Sequence, residues 1–91
     1  MNTLEATKTA RETLHTILGA PVETISACKK NDAGWAIEME IVETKARISD
    51  NDLIAAYVVE LDHEGDLTAY RRVNRYQRAH ASQHAAQISA A

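Results

Sequence analysis

The chain has 91 residues, 45% of them hydrophobic but only 4% aromatic and none of them Phe. That is enough for one small domain and a modest aliphatic core, with about 60–65% of the unfolded surface buried. A single cysteine, Cys28, excludes an internal disulfide and the usual cysteine-based zinc modules, which points to a reducing compartment. No apolar run reaches the roughly 18 residues of a membrane span, and the N-terminal stretch lacks the continuous apolar segment of a signal peptide, so a cytoplasmic location is expected.

Residues 3–18 predict an amphipathic helix. Leu4, Thr7, Ala10, Leu14, Ile17 and Leu18 recur at three-four spacing, which places them on one stripe. Asn2 or Thr3 supplies the N-cap, and Gly19 followed by Pro21 supplies the stop. Val22 to Lys30 is a weaker strand, with Ile25, Ala27 and Cys28 as its apolar content. The run Lys29 to Gly34 is turn chemistry, because Asn, Asp and Gly accept unusual backbone angles. Trp35, Ile37, Met39 and Ile41 then alternate with Glu38 and Glu40, the pattern of a half-buried antiparallel strand. A polar connection spans residues 45–52.

The stretch from Asp52 to Arg78 reads as two strands around a turn at residues 62–66. The first is apolar on both faces, as an inner strand is. The second interleaves Tyr70, Val73 and Tyr76 with Arg71, Arg72, Arg75 and Arg78. On an ideal strand Tyr70, Arg72, Asn74, Tyr76 and Arg78 share one face, and Leu67, Ala69, Arg71, Val73 and Arg75 share the other. The Ala-rich residues 80–91 are expected to be a frayed helix or a disordered tail. The expected fold is therefore α+β: residues 1–79 form one domain, with an N-terminal helix packed over the Trp35 face of a four-stranded antiparallel meander.

Charge is unevenly placed. Residues 1–66 carry all 13 acids against 6 Lys and Arg, a net −7, whereas residues 67–91 carry four Arg and no acid, a net +4. The whole chain is at −3. Either the arginines form a patch for an acidic partner, or they pair across strands with acids such as Glu38 and Glu40.

Enzymatic chemistry finds little support. Cys28 sits in an apolar strand context beside two lysines and reads as inert. Three scattered glycines build no phosphate loop. His80 and His84 are spaced to share one side of a helix, yet no acid or cysteine in the tail completes a metal site. Asp62, Glu64 and Asp66 lack the frame of a calcium loop. Glu38, Glu40 and Glu43 read as a solvated strand face rather than an acid–base pair. No cofactor or metal is expected.

Arginine with tyrosine is the pairing of protein interfaces. Tyr70, Arg72, Arg75, Tyr76 and Arg78 are therefore the candidate partner-binding residues, acting by extension of a sheet edge. The same pairing on a sheet also stacks single-stranded bases, which leaves a nucleic-acid-binding regulator as the alternative, opposed by the low pI of about 5.7. A small enzyme or ligand-binding domain would need a pocket between helix and sheet. Leu14, Trp35 and Tyr57 filling that space would count against it.

One pattern is more specific. Gly34-Trp35, Glu40-Ile-Val-Glu43, Arg47-Ile48, Asp52 with Ala55-x-Tyr57, Glu60-Leu-Asp62-x-x-Gly65 and Tyr70-x-Arg72-x-x-Arg75-Tyr76-x-Arg78 follow in order. Together they resemble the gas vesicle protein O family (GvpO) over about residues 34–78, half the chain. Ser49 departs from the proline expected after Arg-Ile. The resemblance implies a non-enzymatic, cytoplasmic accessory protein needed for making gas vesicles, associated with them. It would be a chaperone-like assembly module for other gas vesicle proteins, including the shell protein, with weak homo-oligomerisation compatible with its size. The nucleic-acid alternative becomes, in that setting, a regulator of gas vesicle gene expression.

Overall fold

A computed structural model describes residues 1–79; the Ala-rich tail, with His80 and His84, lies outside the described residues. Helix α1 (Thr3–Leu18) precedes strands β1 (Val22–Asn31), β2 (Gly34–Thr44), β3 (Leu53–Leu61) and β4 (Leu67–Gln77). The four strands form one antiparallel sheet in the order β1-β2-β3-β4, as short connections between successive strands dictate.

Asn2 caps α1 reciprocally. Its side chain accepts the Glu5 amide at 2.9 Å, and Glu5 accepts the Asn2 amide at 3.1 Å. Two of the four unpaired amides of the first turn are thereby satisfied. The helix ends at Gly19, whose amide bonds the His15 carbonyl at 2.8 Å. Its buried ridge differs from the expected stripe. Ala6, Ala10 and Leu14 are completely buried, whereas Leu4 is 78% exposed and Ile17 38%. Ala10 and Leu14 belong to the expected stripe and Leu18 packs against the core; the difference is that Ala6 joins the ridge while Leu4 and Ile17 turn outward, a small rotation of the buried face.

Between α1 and the sheet lie Leu14, Trp35, Ile37, Met39, Ile41, Ala55, Val59 and Leu61, with Tyr57 and Cys28 packed against them. The helix does cover the Trp35 face, and side chains fill the space where a ligand pocket would have to be. Each fully buried Leu, Ile, Val or Met side chain among them contributes about 1.5–3 kcal/mol. The Lys30 ammonium stands 5.8 Å from the Trp35 ring centroid, within cation–π range. β3 is an inner strand buried on both faces: Ala55 and Val59 face α1, and Ile54 and Ala56 are buried on the reverse.

Two turns set the register. In the β1–β2 turn Asn31 folds its side chain back to accept the amides of Ala33 and Gly34, both at 2.9 Å. At the β3–β4 turn Asp62 does the same for Glu64 and Asp66, and the Gly65 amide bonds the Asp62 carbonyl. The longer β2–β3 connection contains a single 3-10 turn at Ser49–Asn51.

Candidate partner-binding surface

β4 is an edge strand, and every residue in it except Tyr76 is exposed. Helix α1 packs chiefly on β1, β2 and β3. A helix is about 10 Å across, and four strands at about 4.8 Å spacing are wider than that, so the fourth stands clear of the helical layer.

The faces of β4 follow from register, because cross-strand partners point the same way. Leu67 lies opposite Leu61, Tyr70 opposite Val59, Arg72 opposite Tyr57 and Arg75 opposite Ala55, all on the side of α1. Arg71, Asn74 and Tyr76 lie opposite Val58, Ala56 and Ile54 on the reverse. This differs from the ideal-strand assignment, which put Tyr70, Arg72 and Tyr76 together. A bulge between Arg72 and Asn74 inserts Val73 as an extra residue and reverses the alternation beyond it. A second bulge inserts Thr68, whose hydroxyl bonds the Glu60 carbonyl at 3.1 Å.

The five candidate residues therefore fall into two groups. Tyr70, Arg72 and Arg75 share the helix side. The Arg72 and Arg75 side chains are each 45% exposed and converge on one carboxylate, Glu43, with Arg72 at 3.7 Å. Glu43 sits at a bulge of β2, and its Oε2 is buried without a hydrogen-bond partner among the described residues. Tyr76 is on the reverse face, where its hydroxyl donates to Glu40. Loss of solvent, then that carboxylate, pushes the Tyr76 pKa up to about 12. Arg78 lies just beyond β4 and turns inward, with its guanidinium 2.8 Å from Glu23 and 3.2 Å from Asp52 and its Nε bonded to the Ser49 carbonyl at 3.1 Å.

Asp52 is the centre of that second group. It is 3% exposed and accepts the Ala46 amide at 2.8 Å, while its own carbonyl accepts the Arg78 amide at 2.9 Å. The Ala46 amide, followed by Arg78, holds its carboxyl below the ordinary aspartate value. Glu23, and after it Asp52, raises the pKa of Arg78. Asp52 and Arg78 thus tie the β2–β3 connection, the end of β4 and the start of β1 into one corner. Glu23 carried no sequence signal, because it meets Arg78 across 55 positions of chain.

The arginines do not pair with Glu38 or Glu40 as the strand pattern suggested. Glu38 and Glu40 lie opposite Val58 and Ala56 on the reverse face, whereas Arg72 and Arg75 are on the side of α1. Glu43, at the end of β2, and Glu60, on β3 and 3.5 Å from Arg71, take their place. Among the described residues no group of three or more His, Cys, Asp or Glu is placed to hold a metal ion. No helix among them is long and apolar enough to cross a membrane.

Residues 1–82 match the family described as "Gas vesicle synthesis protein GvpO". The chain belongs to that GvpO family. Gas vesicle protein O of Streptomyces sp. (strain CB03234) is 41% identical over 63 residues, covering 68% of this chain and 48% of that protein. Gas vesicle protein O1 of Halobacterium salinarum (strain ATCC 700922 / JCM 11081 / NRC-1) is 36% identical over 69 residues, covering 76% and 58%. The chain thus spans about half the length of the curated relatives it matches. No solved structure matches it. The GvpO match extends through α1 and β1, which carried none of the resembling residues.

Proposed function

We propose that this chain is a non-enzymatic accessory module of gas vesicle synthesis that holds another gas vesicle protein against β4 during assembly, in the manner of a chaperone and in the cytoplasm. Membership of the GvpO family supports the process. The observation that carries the mechanism is β4 itself: an uncovered edge strand with four arginines and two tyrosines between Leu67 and Arg78 and no acid. Tyr70, Arg72 and Arg75 are the contact residues in this reading. Tyr76 and Arg78 belong to the same surface indirectly, as the anchors that fix the end of the strand. Their bonds to Glu40, Glu23 and Asp52 spend their polar groups inside the molecule. The carboxylates of Glu43 and Glu60 beside Arg72, Arg75 and Arg71 oppose a phosphate backbone, so a protein partner fits better than nucleic acid.

Co-purification tests this. Wild-type protein should retain other gas vesicle proteins, the shell protein among them, and a Tyr70→Ala/Arg72→Ala/Arg75→Ala variant should lose them while remaining folded by circular dichroism, with a lower thermal midpoint because Glu43 loses both cations. Equal retention by a folded variant would overturn the assignment.

A further inference from the structure

We propose that the segment received by β4 is an acidic amphipathic helix, seated on the α1 side of the strand rather than added to its edge. This rests on the reading above and specifies its partner. Strand addition needs a regular row of free backbone donors and acceptors. The β4 edge is guarded against it in ways typical of natural edge strands. Two bulges leave only Ala69 to Arg72 in unbroken register between them. The Arg75 amide is already taken by the Asn74 side chain at 2.9 Å. Four arginines without an acid would also set like charges together if a second copy paired here in antiparallel fashion.

The face beside α1 is open instead. Leu67 is 38% and Tyr70 44% exposed, although their cross-strand partners Leu61 and Val59 are buried under the helix. A shallow depression lined by Glu12, Thr13, Thr16, Ile17 and Leu67 separates α1 from this row. A second helix is wider than this one strand, so it rests its apolar stripe on Leu67 and Tyr70 with α1 as one wall and overhangs the edge of the sheet. The far end of the row fixes the charge of the occupant. Arg72 and Arg75 share the single carboxylate of Glu43, so the row keeps a net positive charge that an incoming Glu or Asp would neutralise. Glu12 on the wall of the depression opposes acid at the near end, so the acidic residues belong at the Arg72 and Arg75 end; a basic helix is repelled there and a neutral one gains only the apolar contact.

The test uses the full chain and three synthetic 16-residue peptides: one with a leucine stripe flanked by Glu, one with Lys for Glu, and one of the first composition with the stripe scrambled. The first peptide should shift the amide resonances of Leu67–Arg75 and Thr13–Ile17 and gain helical circular dichroism on binding. The other two should bind at least about ten-fold more weakly, and Tyr70→Ser should weaken the first by about ten-fold, the scale of one central interface side chain. Equal binding by the scrambled peptide, shifts confined to Arg71, Asn74 and Tyr76, or binding without helicity would each overturn the proposal. So would absence of binding at millimolar peptide, or concentration-dependent shifts of the same residues without peptide, which would mark a second copy as the occupant. Because no gas vesicle protein is used, these failures are separable from that of the wider reading: partners still lost by the β4 variant would leave β4 as the contact and remove only the helix.

Discussion

Substituting alanine for Gly34 should destabilise the fold more than any other single-methyl addition at a glycine. Gly34 opens β2 with φ +146, a conformation reserved in practice for glycine, and a Cβ there would lie 2.0 Å from the Leu61 carbonyl oxygen and 2.7 Å from Cα and carbonyl carbon of Asp62. Those atoms are backbone, so no rotamer change relieves the overlap. Relief requires β2 and β3 to part where Trp35 pairs with Leu61, at one end of the core. The backbone conformation costs about 1–3 kcal/mol and the forced shift about another 1–3. Together that is roughly 2–6 kcal/mol, against about 5–14 for a chain of this length. The thermal midpoint should fall by roughly 10 °C or more. Gly19→Ala is the control. Its φ is +68 but nothing lies within 4 Å of the added carbon, so only the conformational cost of about 1–2 kcal/mol remains. Calorimetry on the two variants decides the matter. A Gly34→Ala midpoint at or above that of Gly19→Ala would refute the close-approach argument.

Asp52→Asn should lower the midpoint at pH 7, because the carboxylate that accepts the Ala46 amide and faces Arg78 is lost. Since the folded pKa of Asp52 is depressed, its contribution is present above the ordinary value of 3.8 and disappears as pH falls through the folded value; wild type and variant should therefore converge in acid. A pH-independent difference would contradict that linkage. Tyr76→Phe removes the hydroxyl bond to Glu40 and should cost about 1 kcal/mol, after allowance for partial exposure. Because the folded pKa is raised from 10.0 to about 12, the deficit should be full below pH 10 and fade between those values, which denaturant titrations at neutral and alkaline pH would resolve.

Much of the fold was legible in the chain because local signals agreed with one another. Asn2 and Gly19 bracket the helix, and Asn31 and Gly34, with Asp62 and Gly65, punctuate the strands. The unbroken apolar run from Leu53 to Leu61 marked an inner strand, and β3 is one. What was misread depended on geometry that leaves no local mark. Helical periodicity correctly placed Ala10 and Leu14 on the buried face but also favoured Leu4 and Ile17, where the sheet takes Ala6 instead. The alternation rule placed Tyr70, Arg72 and Tyr76 on one face, and a bulge at Val73 separates them. Bulges without glycine have no sequence signature. The charge asymmetry was correctly noticed, but which carboxylate meets which guanidinium is set by the face each side chain takes, which the bulges at Glu43 and Val73 decide. Pairing therefore passes to Glu43, Glu60, Glu23 and Asp52.

The central claim is that the α1-facing row of β4 is the working surface of this GvpO family member. Complementation measures that directly. In a gas-vesicle-forming host lacking its own copy of this gene, the wild-type chain should restore vesicles visible by electron microscopy. A Tyr70→Ser/Arg72→Ala/Arg75→Ala variant, folded and present at equal level, should not. Normal vesicles with that variant would contradict the account.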